Sequence, residues 1–375
     1  VVELRWNDYS LSEEQIDLRA MLHDFFTESS PAEVVRAAEP VGADAGLWQA
    51  TVDAGLAALA VPEEAGGQGA GLVELLLAAE EVGRTLAPVP LVDHNVATRL
   101  LAAAAPDSGD LAPAVAGDLV LSLAPLSSRR SGPQLVPSGA VARGVLLVTG
   151  GELLLLRRPE PPAHAVNQGS LPLAWWDPAD PAVSRTVLAS GPDAARLWGR
   201  ASDEWQVATA AALVGLADGA NRIARLYTTQ RTAFGVPIAT FQAISHALVN
   251  AHMAVQTARN LALKAAWFSA EEPAARPELP TMALAHAART ATEVTAACVH
   301  VHGGFGITHE ADVSLYHQRA AAWGQVGGGS RVHLDVLGAA VDRLAARRAA
   351  ASPPPVPDAP AARPAADLVT SGGTR

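Results

Sequence analysis

The sequence predicts a mainly α protein with a small β domain set in its middle. Three observations carry that prediction. Apolar residues recur at helical spacing toward the N-terminus, short apolar runs bounded by Gly, Pro and Ser follow, and long helical periodicity returns from about residue 202. Hydrophobic residues make up 49% of the 375 and charged residues only 17%, which suits a heavily buried, oligomeric protein of two or three compact units.

Residues 1–112 are expected to be helical. Ser12 and Gln15 make a capping box, after which Leu18, Met21, Leu22, Phe25 and Phe26 line one helix face. A second helix spans about Leu47 to Leu59 and ends at the loop "VPEEAGGQGAG". A third runs from Leu72 through "LLLAAEEVGRTL" and stops before Pro88. Residues 113–198 form the reduced β unit, with "LVLSLAP", "GVLLVTG" and "ELLLLRR" as its strands. A helical bundle occupies 199–349, with segments over 204–231, 240–270, 280–301 and 330–349. The Pro- and Ala-rich remainder, 350–375, is expected to be a disordered tail.

Net charge is −11 and Lys264 is the sole lysine, which argues against nucleic acid and against anionic membrane surfaces. A few placed arginines still suffice for a phosphate-bearing ligand. A single cysteine, Cys298, permits neither an intrachain disulfide nor a Cys-based zinc site. The first residues lack the basic-then-apolar pattern of a secretory leader, and no uncharged apolar run reaches about 18 residues. The expectation is a cytoplasmic protein without a membrane span.

Two stretches carry chemistry. In "QRTAFGVPIATFQAISH", residues 230–246, a long helix is expected to end at "RTAFG", with Gly235 and Pro237 breaking it. Arg231 and Phe234 would then share a helix face, offering a bidentate fork beside an aromatic ring, as a dinucleotide pyrophosphate requires. An arginine in a last helical turn beside a Gly stop is also common punctuation. In "VHVHGGFGITHE", residues 299–310, Gly303, Gly304 and Gly306 allow backbone to approach a ligand closely. His300 and His302 lack an acidic partner at ligand spacing and do not converge, so no metal site is expected.

These stretches, with "LSEEQIDLRAMLHDFF", "LWQATVDAGLAALAVPEEAGGQGAG", "EEVGRTLAP" and "VHGGFGITHEADVSLYHQRA", resemble the acyl-CoA dehydrogenase family. The resemblance covers both helical domains and leaves the β unit and tail unmatched. It implies an N-terminal helical domain, a middle β domain and a C-terminal four-helix bundle, assembled as a dimer or tetramer with FAD across a subunit interface. It implies α,β-dehydrogenation of an acyl-CoA thioester, with a carboxylate taking the Cα proton and hydride leaving Cβ for the flavin. Arg231 would reach the pyrophosphate of the neighbouring subunit's FAD, with Phe234 and Gln242 close by. Gly303 and Gly304 would bring backbone to the adenosine half, and His246 would pack beneath.

The family's base, a glutamate in a Glu-Gly-Thr turn, meets "GGGS" here, which puts Gly327 or Gly328 at its position. Relatives that carry the base at the start of the long helix align it with Trp205, and Glu204 is one residue off, about 100° around the helix. The family's Thr-Glu-Pro and Gly-Ser-Asp signature has no counterpart in "LSLAPLSSRRSG", and Trp175 and Trp176 do not match the Trp-x-Thr flavin floor. What survives is the half given in trans to a neighbour's FAD. The expected role is therefore the non-catalytic partner of a homologous subunit that carries the base, acting on a bulky, steroid-like acyl-CoA. A self-sufficient dehydrogenase using Glu204 and a flavin-free structural homologue are the alternatives.

Overall fold

A computed structural model describes residues 9–351. The expected tail falls, from 352 on, outside the described residues. The N-terminal unit comprises α1 (Glu13–Ser29), α2 (Ala32–Ala37), α3 (Ala45–Asp53), α4 (Leu72–Thr85), α5 (Leu91–Ala104) and α6 (Leu111–Val115). The Ser12–Gln15 capping box starts α1 as expected, with Gln15 N–H donating to Ser12 Oγ and Ser12 N–H to Gln15 Oε1. Leu22 and Phe26 are buried on its inner face, whereas Met21 turns outward. The second helix is shorter than expected: it closes at Asp53, because Gly55 takes a left-handed φ of 75° and starts a separate 3₁₀ turn.

The β unit carries a four-stranded sheet in the order β1 (Leu121–Leu123), β3 (Gly144–Thr149), β4 (Glu152–Arg157), β6 (Ser184–Ser190). A separate antiparallel pair joins β2 (Gln134–Val136) to β5 (Ala174–Trp176). The expected runs are β1, β3 and β4, while β2, β5 and β6 were not anticipated. Both faces of β3 and β4 are covered, which explains their unbroken apolar runs, whereas the edge strand β6 is largely exposed. Leu146, Leu153 and Leu155 face the main helical core, and Val145, Leu147, Leu154 and Leu156 face a smaller core built on Trp176.

The bundle consists of α7 (Gly191–Gln230), α8 (Gln242–Glu271), α9 (Leu279–His302), α10 (Asp312–Trp323) and α11 (Gly329–Ala351). The long helix begins directly after β6, at Gly191 rather than near 204. Its first turns bury Ala194, Trp198 and Ala201, but Gly191, Pro192 and Gly199 interrupt that short apolar period with residues that read as loop. It also ends differently. Arg231 already has extended backbone (φ −72°, ψ 124°), and a two-strand hairpin, β7 (Thr232–Ala233) and β8 (Val236–Pro237), follows. Arg231 and Phe234 therefore do not share a helix face. The hairpin tip is Phe234-Gly235 with φ 54° and 83°, the left-handed pair of a type I′ turn.

α7 is the spine of the molecule and packs against α4, α5, α8, α9 and α10. Its crossing with α4 brings backbone onto backbone. A Cβ on Gly215 would lie 1.8 Å from Glu80 O, and one on Gly83 1.8 Å from Ala212 O. No helix among the described residues is long and apolar enough to cross a membrane.

Candidate functional site

One candidate surface lies where α7 and α9 end. The Arg231 N–H donates to Tyr227 O at 2.8 Å, capping α7. The Tyr227 ring stacks on His302 with centroids 4.2 Å apart and faces Phe305 at 6.2 Å. Gly303 and Gly304 lie in the chain between those two stacked rings, so the "RTAFG" and "HGGFG" motifs meet at one end of the bundle. Gly303 has φ 63° and ψ −146°, a conformation open essentially to glycine alone. A Cβ on either Gly303 or Gly304 would meet nothing within 4 Å, so bare backbone faces open space.

Arg231, Phe234, Gln242, Gly303 and Gly304 are all exposed. Phe234 is 96% exposed at the hairpin tip, held only edge-on to Phe241 at 6.2 Å. Gln242 opens α8. Among the described residues no ion pair engages Arg231, leaving its fork free for an external oxyanion. His246 is exposed on the same end of α8. Leu226, Val249, Met253 and Ile307 add exposed apolar side chains to these elements.

The histidines of the second motif do other work. His302 is buried and its Nδ1 lies 2.7 Å from Cys298 O, to which it donates, whereas His300 is exposed. Among the described residues no group of three His, Cys, Asp or Glu is placed to hold a metal.

The second candidate region is internal, around "GGGS". Gly327, Gly328 and Gly329 carry φ of 85°, 108° and 67°, a run of left-handed backbone between α10 and α11. A Cβ on Gly327 would lie 2.9 Å from Trp205 Cζ3 and 3.0 Å from Cη2. One on Gly328 would lie 2.6 Å from Val332 Cγ2. The space a side chain at 327 would enter is thus filled by the Trp205 indole. That indole is buried and its Nε1–H donates to Asp93 Oδ1 at 2.8 Å. Asp93 also accepts from Ser138 Oγ at 2.5 Å, yet burial pushes its carboxyl above the usual range.

Glu204 points away from this space. Arg99 grips it with two bonds of 3.0 and 3.1 Å and Arg200 adds a third at 3.0 Å, so it ties α5 to α7. Three cavities border the Trp205–Gly327 contact. An apolar one of about 100 Å³ reaches Leu86, Val92, Leu173 and Trp323. A groove of about 420 Å³ runs along Trp175, Gln325 and Gly328. A mixed one of about 290 Å³ is lined by Trp198, Asp203 and His333. Asp93, Asp203, Trp198, His333 and Tyr227 were not singled out from the sequence, since their placement depends on contacts between segments far apart in the chain.

Acyl-CoA dehydrogenase family models match on both sides of the β unit: the N-terminal domain over residues 12–108 and the C-terminal domain over 203–341. The acyl-CoA dehydrogenase IpdE2 of Mycobacterium tuberculosis (strain ATCC 25618 / H37Rv) is 30% identical over 315 residues, 82% of this chain and 91% of the relative. The chain belongs to the acyl-CoA dehydrogenase family. Among solved structures, a variant of the Tcur3481-Tcur3483 steroid ACAD matches with TM-score 0.79 at 27% identity, covering 90% of this chain and 100% of that one. The ChsE4-ChsE5 complex from Mycobacterium tuberculosis shares the fold with TM-score 0.79 at 24% identity, covering 92% and 100%.

Acyl-CoA dehydrogenases are FAD-dependent, and the two halves of this family member differ in how they fit that cofactor. The exposed end fits: an unpaired guanidinium, bare glycine backbone and an aromatic tip suit a dinucleotide. The β unit fits poorly, because several of its buried polar side chains are engaged internally. Ser127 Oγ accepts from Val148 N–H, Ser122 Oγ donates to Pro137 O, and the Gln134 amide donates to Arg130 O and Gly132 O. Trp176 is buried in the small core with its Nε1–H on Gly139 O.

Proposed function

We propose that this chain is the non-catalytic subunit of a heteromeric acyl-CoA dehydrogenase and completes the FAD site of a homologous partner that carries the base. The reading rests chiefly on one observation: the Trp205 ring fills the space that a side chain at Gly327 would enter. Abstraction of a Cα proton needs a positioned acceptor, which typically contributes about 10²–10⁴-fold. Neither Gly327 nor Gly328 offers one, the Trp205 N–H only donates, and Glu204 is locked between two arginines. When bound, FAD supplies the hydride acceptor.

The residues of this chain act by binding. Arg231 clamps the pyrophosphate of the partner's FAD with its fork. The Gly303–Gly304 backbone lies along the adenosine half, and Phe234 and Gln242 close the nucleotide edge. The likeness to a steroid ACAD supports a bulky acyl-CoA thioester as the substrate of the complex.

The test is the visible spectrum of this chain purified alone and purified with a homologous subunit that has the base glutamate. Flavin absorbance and acyl-CoA dehydrogenation, followed with an artificial electron acceptor, are expected only in the second sample. Flavin and robust turnover from this chain alone, abolished by Glu204→Gln, would overturn the reading.

A further inference from the structure

The outer face of α7 and α8 is lopsided in charge. The whole chain carries a net charge of −11, yet between Asp218 and Glu271 it has no acidic residue. Arg222, Arg225 and Arg231 lie in that stretch, and all three are exposed. Arg222 and Arg225 are one turn apart on α7 and share its outer face with Leu226 and Thr229. Asp218, one turn before Arg222, would be the natural helical partner, but it turns inward to Arg84 and Arg259. Among the described residues no ion pair engages Arg222 or Arg225. From Gln242 to Thr257 every exposed side chain of α8 is apolar, amide, hydroxyl or imidazole, and Val249 and Met253 are more than half exposed. A groove of about 400 Å³ between the two helices is lined by Arg225, Thr229, Ser245, Val249 and His252, among others, and by no carboxylate. The Thr229 and Ser245 hydroxyls donate to Leu226 O and Phe241 O, which leaves the guanidiniums as the unspent charge.

An exposed apolar strip marks a docking face, and the charges beside it choose what docks. A second copy of this chain is a poor occupant. In a two-fold contact the same patch lies on both sides, so arginines from each copy gather with no carboxylate to pair with. Like charges brought into a contact that excludes water oppose it. The pyrophosphate assigned to Arg231 leaves Arg222 and Arg225 unanswered. We infer that this face rejects a second copy of the chain and docks a homologous subunit whose matching helices carry carboxylates opposite Arg222 and Arg225. The pairing is then heteromeric by repulsion of the wrong partner as much as by attraction of the right one. The identity of the partner rests on the paired role proposed above, whereas the rejection of self is a property of this chain alone.

Overall charge and local charge make opposite demands on one variant. Arg222→Gln combined with Arg225→Gln makes the whole chain more negative, which by itself keeps copies apart. Where local repulsion governs, the same change lets the apolar strips meet. Glutamine is a good helix former and both positions are exposed, so the double variant is expected to fold. Arg19→Gln combined with Arg185→Gln makes the same change in net charge at exposed arginines on α1 and β6, and is the control.

Sedimentation velocity of the full chain at micromolar concentration, in about 50 mM and about 500 mM NaCl, reads both effects. Wild type is expected to be monomeric at the lower salt. At the higher salt it is expected to self-associate, because screening removes the repulsion and leaves the apolar contact. The Arg222→Gln, Arg225→Gln variant is expected to self-associate already at the lower salt, and the control to behave as wild type. The complex with the base-carrying subunit is expected to weaken at least about tenfold from lower to higher salt, and far less in the Arg222→Gln, Arg225→Gln variant. Wild type that self-associates at the lower salt, a double variant that stays monomeric there, a control that self-associates equally, or a wild-type complex indifferent to salt would overturn the inference. Absence of complex and flavin from the mixed sample at both salts would overturn the paired role instead, and the double variant alone would still decide what the arginines of this face do.

Discussion

At the residue scale, Arg231 and Gly327 behave oppositely. Arg231 is exposed and engaged by no ion pair among the described residues, and in the role proposed above its worth lies in the FAD it meets across the subunit interface. Arg231→Ala should weaken flavin retention in the assembled complex by about 2 kcal/mol, the scale of a charge-assisted hydrogen bond. Arg231→Lys should recover only part, because a point charge replaces a fork. Flavin occupancy measured on the intact complex checks both. Gly327 is closed instead. Glu at this position must leave a left-handed φ or strain it, and its Cβ must displace Trp205. Gly327→Glu should therefore destabilise the fold by about 1–3 kcal/mol and restore no dehydrogenation. Urea unfolding and an acyl-CoA panel assay give the two readouts.

At the element scale, the α4–α7 crossing joins the N-terminal unit to the bundle. Glycine permits the contact, and charges lock it. Arg84 pairs with Glu80, Glu81 and Asp218, and Arg259 reaches back to Glu80 and Asp218. Gly215→Ala would drive a methyl into Glu80 O and should cost about 2–3 kcal/mol in urea unfolding. Burial alone would raise the Asp218 carboxyl, but Arg84 and Arg259 outweigh it and hold it below its ordinary 3.8. A depressed carboxyl contributes stability that is present above its unfolded value and is lost as pH falls through the folded one. Asp218→Asn should thus cost about 3 kcal/mol at pH 7, and the difference from wild type should shrink below about pH 4. Stability measured across that range decides it.

At the scale of the whole molecule, the end bearing Arg231 is also where α7, α8 and the hairpin leave apolar side chains uncovered. Leu226, Val249 and Met253 are each more than half exposed, and Phe234 almost wholly. Such a patch rimmed by polar groups marks an interface. The partner subunit is expected to cover it, and Met253→Arg should shift the assembly toward monomer in sedimentation while leaving the unfolding midpoint unchanged. A monodisperse monomer at micromolar concentration, with and without the partner, would count against the interface.

Periodicity and punctuation were enough to set the class of the fold, the order of its units, the α1 capping box and the strands β1, β3 and β4. These are local features: caps, apolar spacing and turn residues act over a few neighbours. The motifs likewise placed Arg231, Phe234, Gln242, Gly303 and Gly304 as candidates, and "GGGS" showed that no carboxylate stands at 327 or 328. Tertiary structure decided the rest. The early start of α7, across Pro192 and Gly199, is fixed by the burial of Ala194, Trp198 and Ala201 against the core. The hairpin at Phe234 replaces a helical turn because two left-handed residues match its strand twist. That Trp205 lies on Gly327, that Arg99 captures Glu204, and that Trp198 and His333 share one cavity all depend on contacts between residues far apart in the chain. No local pattern encodes such contacts, because they arise only when α5, α7 and α11 pack together.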